Sequence, residues 1–228
     1  MASRRAPDPG LAAWLARLEA AHPQTIDLGL ERVAAVATRM GLRPDCVIVT
    51  VAGTNGKGST CAFLEAMLTA AGYCVGLYTS PHLVRFNERI RIGGAMADDA
   101  DIVAALTAVE AARAEVSLSY FEHATLAAMW LFRRAAVEVA ILEVGLGGRL
   151  DAVNLFDADC AVVTSIDLDH QAYLGNDREA IGFEKAGIFR AGRPAICADR
   201  APPDSLRRQA AAVGAEWQCL GSDFHVEA

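Results

Sequence analysis

The clearest chemistry in this sequence lies in a short glycine-rich segment, VAGTNGKGST, at 51–60. An apolar, β-branched run leads into it, and a helical pattern follows. Its three glycines let the backbone bend closely around an anion, and the first N–H groups of the next helix would point there. Lys57 can neutralise the β- and γ-phosphates of a nucleotide, and the hydroxyl of Ser59 or Thr60 can coordinate Mg²⁺. The segment therefore predicts a phosphate-binding loop.

The spacing of this loop differs from that of the common P-loop. Two residues, rather than four, separate Gly53 from the Gly56-Lys57 pair, and Gly58 stands between the lysine and the hydroxyl residues. The predicted nucleotide-binding residues are consecutive: Gly53, Thr54, Asn55, Gly56, Lys57, Gly58, Ser59 and Thr60. The short form is a distinguishing feature of the chain.

Composition limits the kinds of partner. The 228 residues include 21 Lys plus Arg against 28 Asp plus Glu, so the net charge is −7. This balance argues against nucleic acid or an anionic membrane surface as the main partner. The six cysteines stand singly without metal-type spacing, as in a reducing cytosol. Arg4 and Arg5 are followed by prolines rather than by an apolar core, and no apolar run is long enough to span a membrane. We expect a cytoplasmic monomer.

Short β-rich runs alternate with helical patterns along the chain. Strands are predicted at 46–52, 74–79, 138–144, 160–166, 194–198 and, more weakly, 217–220. Helices are predicted at 11–20, 30–40, 59–71, 100–114, 123–135, 179–189 and 205–213. Runs such as VEVAILEV at 137–144 are apolar on both faces, as expected where helices cover both sides of a sheet. The predicted fold class is α/β, a doubly wound, mostly parallel sheet with helices on both faces.

Polar residues follow several predicted strands. In doubly wound sheets, ligands bind beyond the carboxyl ends of the strands. Ser80 and His170 come after two of those ends, and Glu143 lies at a third. With Ser59 of the loop they would converge on one mouth, although they are far apart in sequence. A hydroxyl, a carboxylate and an imidazole around a triphosphate suit Mg²⁺.

Each of these residues also has a structural interpretation. Ser80 before Pro81 could simply start a turn, and His170 could be an ordinary loop histidine. Glu143 favours a functional reading, because a carboxylate at the end of an apolar strand is costly to bury unless it is paired or bound to metal. Lys185 would ordinarily be a solvated helical lysine, and the residues alone do not single it out.

The segment GLGGRLD at 145–151 allows two interpretations. It could be a flexible crossover loop. If it faces the same mouth, Arg149 and Asp151 would be well placed to hold a substrate with both anionic and donor groups.

Five motifs together resemble one enzyme family. They are VAGTNGKGST at 51–60, SPHLVRFNERIRI at 80–92, ILEVGLGGRLDAVN at 141–154, TSIDLDHQAYLG at 164–175 and EKAGIFRAGRP at 184–194. In this order they are similar to the bacterial dihydrofolate synthase/folylpolyglutamate synthases, which belong to the Mur-ligase superfamily of ATP-dependent amide-forming ligases. That family uses the short loop with glycine after the lysine.

The resemblance implies a reaction and its cofactors. ATP would convert the carboxylate of dihydropteroate or a folate into an acyl phosphate, which the amine of L-glutamate attacks. Implied cofactors are ATP and two Mg²⁺ ions, with K⁺ as a further candidate. The implied catalytic residues are Lys57, Glu143, His170 and Lys185, and the implied metal ligands are Ser59, Ser80, Glu143, His170 and Lys185. Lys185 matches a lysine that carries a carbamate, which would turn a cation into an anionic ligand or support for the second metal.

The resemblance also implies a pteroate pocket. Its residues would be Asp27, Leu28, Gly29, Ser119, Tyr120, Phe121, Glu122, Leu150, Asp151 and Ala152. Phe121 could stack on an aromatic ring of the substrate. Without the resemblance, Tyr120 and Phe121 would be interpreted as core residues that cap the next helix. Because the dihydropteroate-type segments are present, we predict both activities rather than polyglutamylation alone.

The family is longer than this chain by roughly another domain. We therefore expect 1–228 to be an incomplete N-terminal/central ATP-binding domain, without the C-terminal glutamate-ligase domain and with little turnover alone. Two other functions stay open. A Mur-type ligase would act on a UDP-linked peptidoglycan precursor, and a P-loop module would bind nucleotide as a switch. The segments at 25–33 and 145–154 favour folate.

Overall fold

The computed structural model describes residues 10–21 and 27–226. Arg4 and Arg5, on which the prediction about a signal peptide rests, lie outside the described residues, as do the first two residues of the segment at 25–33. Within the described part, each helix is too short or too polar to cross a membrane.

The described residues form one eight-stranded sheet. Its strands are β1 (Val47–Ala52), β2 (Val75–Tyr78), β3 (Ile90–Ile92), β4 (Ala95–Met96), β5 (Val139–Glu143), β6 (Cys160–Val163), β7 (Pro194–Cys197) and β8 (Glu216–Cys219). Their spatial order is β4-β3-β2-β5-β1-β6-β7-β8. β3 pairs antiparallel with both β2 and β4, whereas the other neighbours are parallel. The predicted mostly parallel sheet is confirmed.

Helices cover both faces of the sheet, as predicted. They are α1 (Leu11–Ala21), α2 (Glu31–Arg39), α3 (Lys57–Ala70), α4 (Asp99–Arg113), α5 (Tyr120–Arg134), α6 (Gln171–Leu174), α7 (Arg178–Ala186) and α8 (Asp204–Val213). Two short 3₁₀ helices span Phe86–Arg89 and Ala152–Leu155. On one face, Cys61 of α3 packs against β1, β2 and β5. The larger core on the other face contains residues of α1, α2, α4, α5, α7 and α8.

β5 shows why an apolar run without alternation forms a central strand. All five of its residues are buried. Val139 and Ile141 join the core under α3, whereas Ala140 and Leu142 join the larger core on the opposite face. A strand that is covered on both sides needs apolar residues at every position until its end, where Glu143 stands.

Some predicted boundaries are wrong. α5 begins at Tyr120, three residues before the predicted start, because Ser119 and Glu122 form a capping box. The Glu122 carboxylate accepts a hydrogen bond from the Ser119 N–H at 2.7 Å, and the Ser119 hydroxyl accepts one from the Glu122 N–H at 3.3 Å. α3 begins at Lys57 rather than at 59, and α7 ends at Ala186 rather than at 189.

The hairpin of β3 and β4 was not predicted. Its strands have three and two residues, too few for an alternating pattern to stand out. A signal for the turn is present in the sequence, because Gly93 and Gly94 have φ of 57° and 81°, as a tight hairpin turn requires.

Candidate active site

The predicted phosphate loop connects β1 to α3, and its backbone is held from the side by residues that follow β6. The Thr54 N–H donates to the Ser165 carbonyl at 2.7 Å, and the Thr164 hydroxyl donates to the Asn55 carbonyl at 2.6 Å. Gly53 has φ +146°, and a Cβ there would lie 1.8 Å from Thr164 Oγ1. Only glycine fits this close approach.

Two lysines converge on one backbone carbonyl. Lys57 Nζ donates to the Gly53 oxygen at 3.0 Å, and Lys185 Nζ, from α7, donates to the same oxygen at 2.9 Å. Lys185 is only 3% exposed. Burial and then the charge of Lys57 lower the pKa of Lys185 to about 8, against the opposing effects of Asp169 and Asp151. The expectation of a solvated lysine is therefore wrong.

Glu143, at the end of β5, is buried beside the start of α3. Its Oε2 accepts a hydrogen bond from the Ser80 N–H at 3.1 Å. Burial raises the pKa of the Glu143 carboxyl, while the Ser80 N–H, Lys57 and Arg89 oppose that rise. A Cβ on Gly58 would lie 3.9 Å from both carboxylate oxygens, so the glycine keeps the space beside the carboxylate open.

His170 and Ser59 lie at the more exposed side of this site. His170 precedes α6 with φ +45°, and its Nε2 lies 3.5 Å from Asp169 Oδ1. The Thr60 hydroxyl donates to the Gly56 carbonyl at 2.9 Å within α3. Because the Thr60 hydroxyl already makes this bond, the hydroxyl of Ser59 is the one available to a ligand. Ser59 is exposed in the same turn.

The predicted metal set is not a cluster of acidic and imidazole groups. Among the residues that the structure describes, no three His, Cys, Asp or Glu side chains gather in a group that could hold a metal ion. The predicted set contains two side chains of these types, Glu143 and His170, and would have to be completed by hydroxyls, a modified lysine and nucleotide oxygens. It stays a prediction.

A cavity of about 840 Å³ opens beside the phosphate loop. Its wall contains all ten residues of the predicted pteroate pocket: Asp27, Leu28, Gly29, Ser119, Tyr120, Phe121, Glu122, Leu150, Asp151 and Ala152. Lys57, Ser80 and His170 line it as well, whereas Ser59, Glu143 and Lys185 lie outside the described wall. The volume is in the range of small-molecule sites.

Three separate segments of this wall are tied together. The Gly29 N–H donates to the Leu150 carbonyl at 3.3 Å. Arg32 lies 2.9 Å from Asp27 Oδ2 and 3.2 Å from Glu122 Oε1. These contacts hold the loop at 27–29 against the start of α5, so the pocket has a defined shape.

Asp151 fixes the glycine-rich turn after β5. Its two carboxylate oxygens accept hydrogen bonds from the Leu146 N–H at 2.8 Å and the Val153 N–H at 3.0 Å. Burial raises the pKa of Asp151 to about 6, although these N–H groups oppose the rise. Arg149 instead pairs with Glu184 at 2.8 Å, outside the described cavity wall. Asp151 therefore lies in the cavity wall and holds the turn at 145–151, whereas Arg149 does not line this cavity.

Both interpretations of the aromatic pair Tyr120 and Phe121 hold in part. The two residues form the first turn of α5 and pack against the larger core. They also line the cavity. The Phe121 ring centroid lies 5.8 Å from that of Tyr78, and a Cβ on Gly145 would lie 2.8 Å from Phe121 Cζ. The absence of a side chain at Gly145 therefore leaves the space that the Phe121 ring occupies.

His82 and Arg89 are among the residues of the cavity wall that were not predicted as site residues. Arg89 is 9% exposed, and its Nε donates to His82 Nδ1 at 2.8 Å. Its guanidinium carbon lies 5.7 Å from the Phe86 ring centroid and 5.5 Å from that of Tyr120. The motif at 80–92, which contains both residues, was the available signal in the sequence.

Family comparison agrees with this architecture. Residues 51–211 match the model of the Mur ligase middle domain. The chain belongs to the Mur ligase family. The matched range contains the phosphate loop, Glu143 and Lys185, and so covers the central part of the site.

Known Mur ligases of one kind are particularly similar. The dihydrofolate synthase/folylpolyglutamate synthase of Escherichia coli (strain K12) is 55% identical over 94% of this chain and 51% of its own length. The Haemophilus influenzae protein of the same description is 49% identical over 88% of this chain and 46% of its own length. The chain thus spans about half the length of the curated relatives that it matches. The resemblance seen in the motifs is confirmed.

Solved Mur ligase structures have the same fold. Escherichia coli FolC in complex with DHPP and ADP is 52% identical, with a TM-score of 0.96 over 98% of this chain and 55% of that one. The bifunctional folylpolyglutamate synthase/dihydrofolate synthase from Yersinia pestis, complexed with AMPPNP and Mn ion, is 50% identical, with a TM-score of 0.92 over 98% and 55%.

One further signal in this Mur ligase sequence could have identified Lys185. The chain has only two lysines, and all other basic side chains besides histidine are arginines. One lysine lies in the phosphate loop, and the other meets it at the carbonyl of Gly53. A chain that uses arginine on its surface and lysine only at these two positions points to a requirement that is specific to an amine.

Proposed function

We propose that the site serves an ATP-dependent ligase, which joins the carboxylate of dihydropteroate or a folate to L-glutamate through an acyl phosphate. One observation carries the proposal. The cavity whose wall contains all ten predicted pteroate residues also contains Lys57 of the phosphate loop. An elongated substrate in that cavity would therefore have one end at the transferred phosphate. The solved relatives that hold ADP with DHPP, or AMPPNP with Mn ion, support the same assignment.

In this reaction the protein mainly positions groups and offsets charge. A carboxylate oxygen of the acceptor attacks the γ-phosphorus of ATP, and the bond between that phosphorus and the oxygen of ADP breaks. The amine of L-glutamate then attacks the acyl carbon, loses a proton and releases phosphate. Lys57 and the first N–H groups of α3 would offset the charge on the transferred group.

We propose Mg²⁺ as the metal, held by oxygen and imidazole groups around the nucleotide. Its proposed ligands are Ser59, Ser80, Glu143, His170 and Lys185. Glu143 supports this set, because burial raises the pKa of its carboxyl in spite of the nearby Lys57 and Arg89, and Gly58 leaves room beside it. When bound, the metal would offset phosphate charge. K⁺ is a further candidate for a cation site.

We propose that Lys185 carries a carbamate. Carbon dioxide adds to the neutral amine, and a lysine with a pKa of about 8 is neutral in roughly one molecule of ten at pH 7. At the ordinary lysine pKa the neutral fraction would be about one in three thousand. Burial and the charge of Lys57 thus prepare Lys185 for this reaction, and carbamylation removes one of two adjacent positive charges.

The carbamate can be tested by nuclear magnetic resonance with isotope-labelled bicarbonate. Because the chain has only two lysines, the spectrum should be simple. We expect a lysine carbamate signal that is lost in Lys185→Arg and retained in Lys57→Arg. A spectrum of the wild-type protein without such a signal, or with one that persists in Lys185→Arg, would contradict the assignment.

We further propose that turnover needs protein beyond the part that this chain represents, since the curated relatives are about twice as long. We also propose that 1–228 is an incomplete N-terminal/central ATP-binding domain and that the protein is a cytoplasmic monomer. Light scattering during size-exclusion chromatography would check the monomer.

The function is tested by product formation in the full-length protein. Dihydropteroate, ATP, Mg²⁺ and L-glutamate should give dihydrofolate and ADP, and ADP release should depend on both acceptors. The 228-residue chain should bind substrate with little turnover. Dependence on a UDP-linked muropeptide would favour a peptidoglycan-precursor ligase instead. Nucleotide hydrolysis without any acceptor dependence would favour a nucleotide switch.

A further inference from the structure

Arg89 is a nearly buried cation that lines the cavity, and none of the described residues forms an ion pair with it. It is 9% exposed and lies at the end of a 3₁₀ helix, next to β3. Its Nε donates to His82 Nδ1 at 2.8 Å. Across the residues that the structure describes, no carboxylate lies within ion-pair distance of its guanidinium group, although the other arginines near the cavity, such as Arg32, are paired.

This arrangement leaves the charge of Arg89 incompletely compensated. A guanidinium stays protonated at any physiological pH, and a charge removed from water needs an opposite charge or good hydrogen bonds. Imidazole and two aromatic rings supply only part of that compensation. Glu143 is close enough for Arg89 to oppose the rise of its pKa, but the two groups form no ion pair. An anion in the cavity would complete the set.

The aromatic neighbours also fix how Arg89 can bind. Its guanidinium carbon lies 5.7 Å from the Phe86 ring centroid and 5.5 Å from the Tyr120 ring centroid, and those two rings meet edge to face. Packing of this kind restrains the guanidinium plane, while Nε is already used by His82. The terminal nitrogens remain as a fork that matches the two oxygens of a carboxylate.

The position of Arg89 in the cavity indicates which anion it meets. The wall that contains Arg89 also contains Tyr120 of the proposed pteroate segment, together with Ser80 and Lys57 at the phosphate loop. An acceptor that lies along α5 would bring its carboxylate to this junction. We propose that Arg89 binds the carboxylate of the acceptor substrate and positions it for attack on the transferred phosphate. This inference rests on the proposed function.

The proposal makes Arg89 the residue that distinguishes a charged acceptor from a neutral one. Loss of a charge-assisted hydrogen bond to a carboxylate should weaken its binding by about 10- to 100-fold. Binding of the corresponding carboxamide, which has no charge, should change by less than about twofold, because its pterin and aromatic contacts remain. Lysine at this position would keep the charge but lose the fork, so the effect should be intermediate.

The experiment uses titration calorimetry without nucleotide. It measures how tightly the wild type, Arg89→Gln and Arg89→Lys each bind dihydropteroate and the corresponding carboxamide. Arg91→Gln is the matched control, since Arg91 lies two residues away and pairs with Glu65 at 2.9 Å outside the described cavity wall. We expect selective loss of carboxylate binding in Arg89→Gln and no such loss in Arg91→Gln.

Other outcomes would overturn the proposal. Equal loss of both ligands in Arg89→Gln would make Arg89 a structural residue. Unchanged pteroate binding with weaker binding of a non-hydrolysable ATP analogue would assign Arg89 to the phosphate instead. If Arg89→Gln does not fold, Arg89→Lys decides, because an unchanged ratio of the two affinities would contradict the role of the fork. A wild-type protein that binds neither pterin ligand would refute the proposed function itself.

Discussion

Gly53→Ala is the sharpest test of how the phosphate loop is built. The new Cβ would lie 1.8 Å from Thr164 Oγ1 and 3.1 Å from the Thr164 backbone nitrogen. Thr164 cannot move freely, because its hydroxyl donates to the Asn55 carbonyl at 2.6 Å and its side chain is buried. The φ of +146° at residue 53 adds strain of about 1–3 kcal/mol for a non-glycine residue. Overpacking contributes about 1–3 kcal/mol more.

The total loss in the free energy of unfolding should therefore be about 2–6 kcal/mol, as the sum of these two ranges. Gly72→Ala separates the two contributions. Gly72 has φ +94°, but nothing lies within 4 Å of a Cβ there. Its substitution should give the backbone strain without the clash. Urea denaturation of the three proteins, followed by circular dichroism, should rank them as wild type, Gly72→Ala and Gly53→Ala in falling stability.

Two further measurements test the contact between residue 53 and Thr164. Thr164→Ala removes the atom at 1.8 Å, so it should restore part of the stability of Gly53→Ala, and a double-mutant cycle would measure that coupling. Binding of an ATP analogue should weaken in Gly53→Ala and stay unchanged in Gly72→Ala. If Gly53→Ala loses no more stability than Gly72→Ala, the loop is not held against the end of β6 as described.

Two other substitutions test the walls of the cavity. The pKa of Asp151 is raised from 3.8 to about 6, so the folded protein binds more protons than the unfolded chain between these values. This difference in pKa contributes on the order of 3 kcal/mol to the free energy of unfolding. The contribution is complete below about pH 4 and is lost as the pH rises through about 6. Urea midpoints of wild type and Asp151→Asn should therefore differ with pH across that window, and a constant difference would contradict the assignment. In Gly145→Ala the new Cβ would lie 2.8 Å from Phe121 Cζ. Pteroate binding should weaken while binding of an ATP analogue is retained, and equal loss of both would point to general misfolding instead.

Features encoded by neighbouring residues could be predicted from the sequence. The phosphate loop lies within ten consecutive positions, so its glycines and its lysine could be recognised together. The parallel sheet followed from apolar runs without alternation, and the rule for strand ends placed Ser80 and His170 at one cavity. The spacing of Ser119 and Glu122 is also typical of a capping box and would have indicated the earlier start of α5.

Features made by distant segments could not be predicted in the same way. Lys185 contacts the carbonyl of Gly53 across 132 positions, and its burial depends on how α7 packs against the loop. Arg89 is similar, since its neighbours come from a 3₁₀ helix, a loop and α5. The resemblance to a family supplied Lys185, whereas only the structure revealed Arg89. Sequence patterns report burial of apolar residues well, but they do not report which charged residue will be buried.

The opposite pKa shifts of Glu143 and Lys185 have one cause. Burial disfavours charge on both, so it raises the pKa of the carboxyl and lowers that of the amine. A divalent cation would favour the ionised form of Glu143, while a positive Lys185 beside Lys57 would repel the same cation. Carbamylation of Lys185 would remove that repulsion. The two events are then thermodynamically linked, and whatever factor the carbamate adds to metal affinity, the metal must add to the stability of the carbamate. Burial thus shifts the pKa of both groups toward their neutral forms, which is compatible with the proposed carbamate at Lys185 and the proposed metal at Glu143.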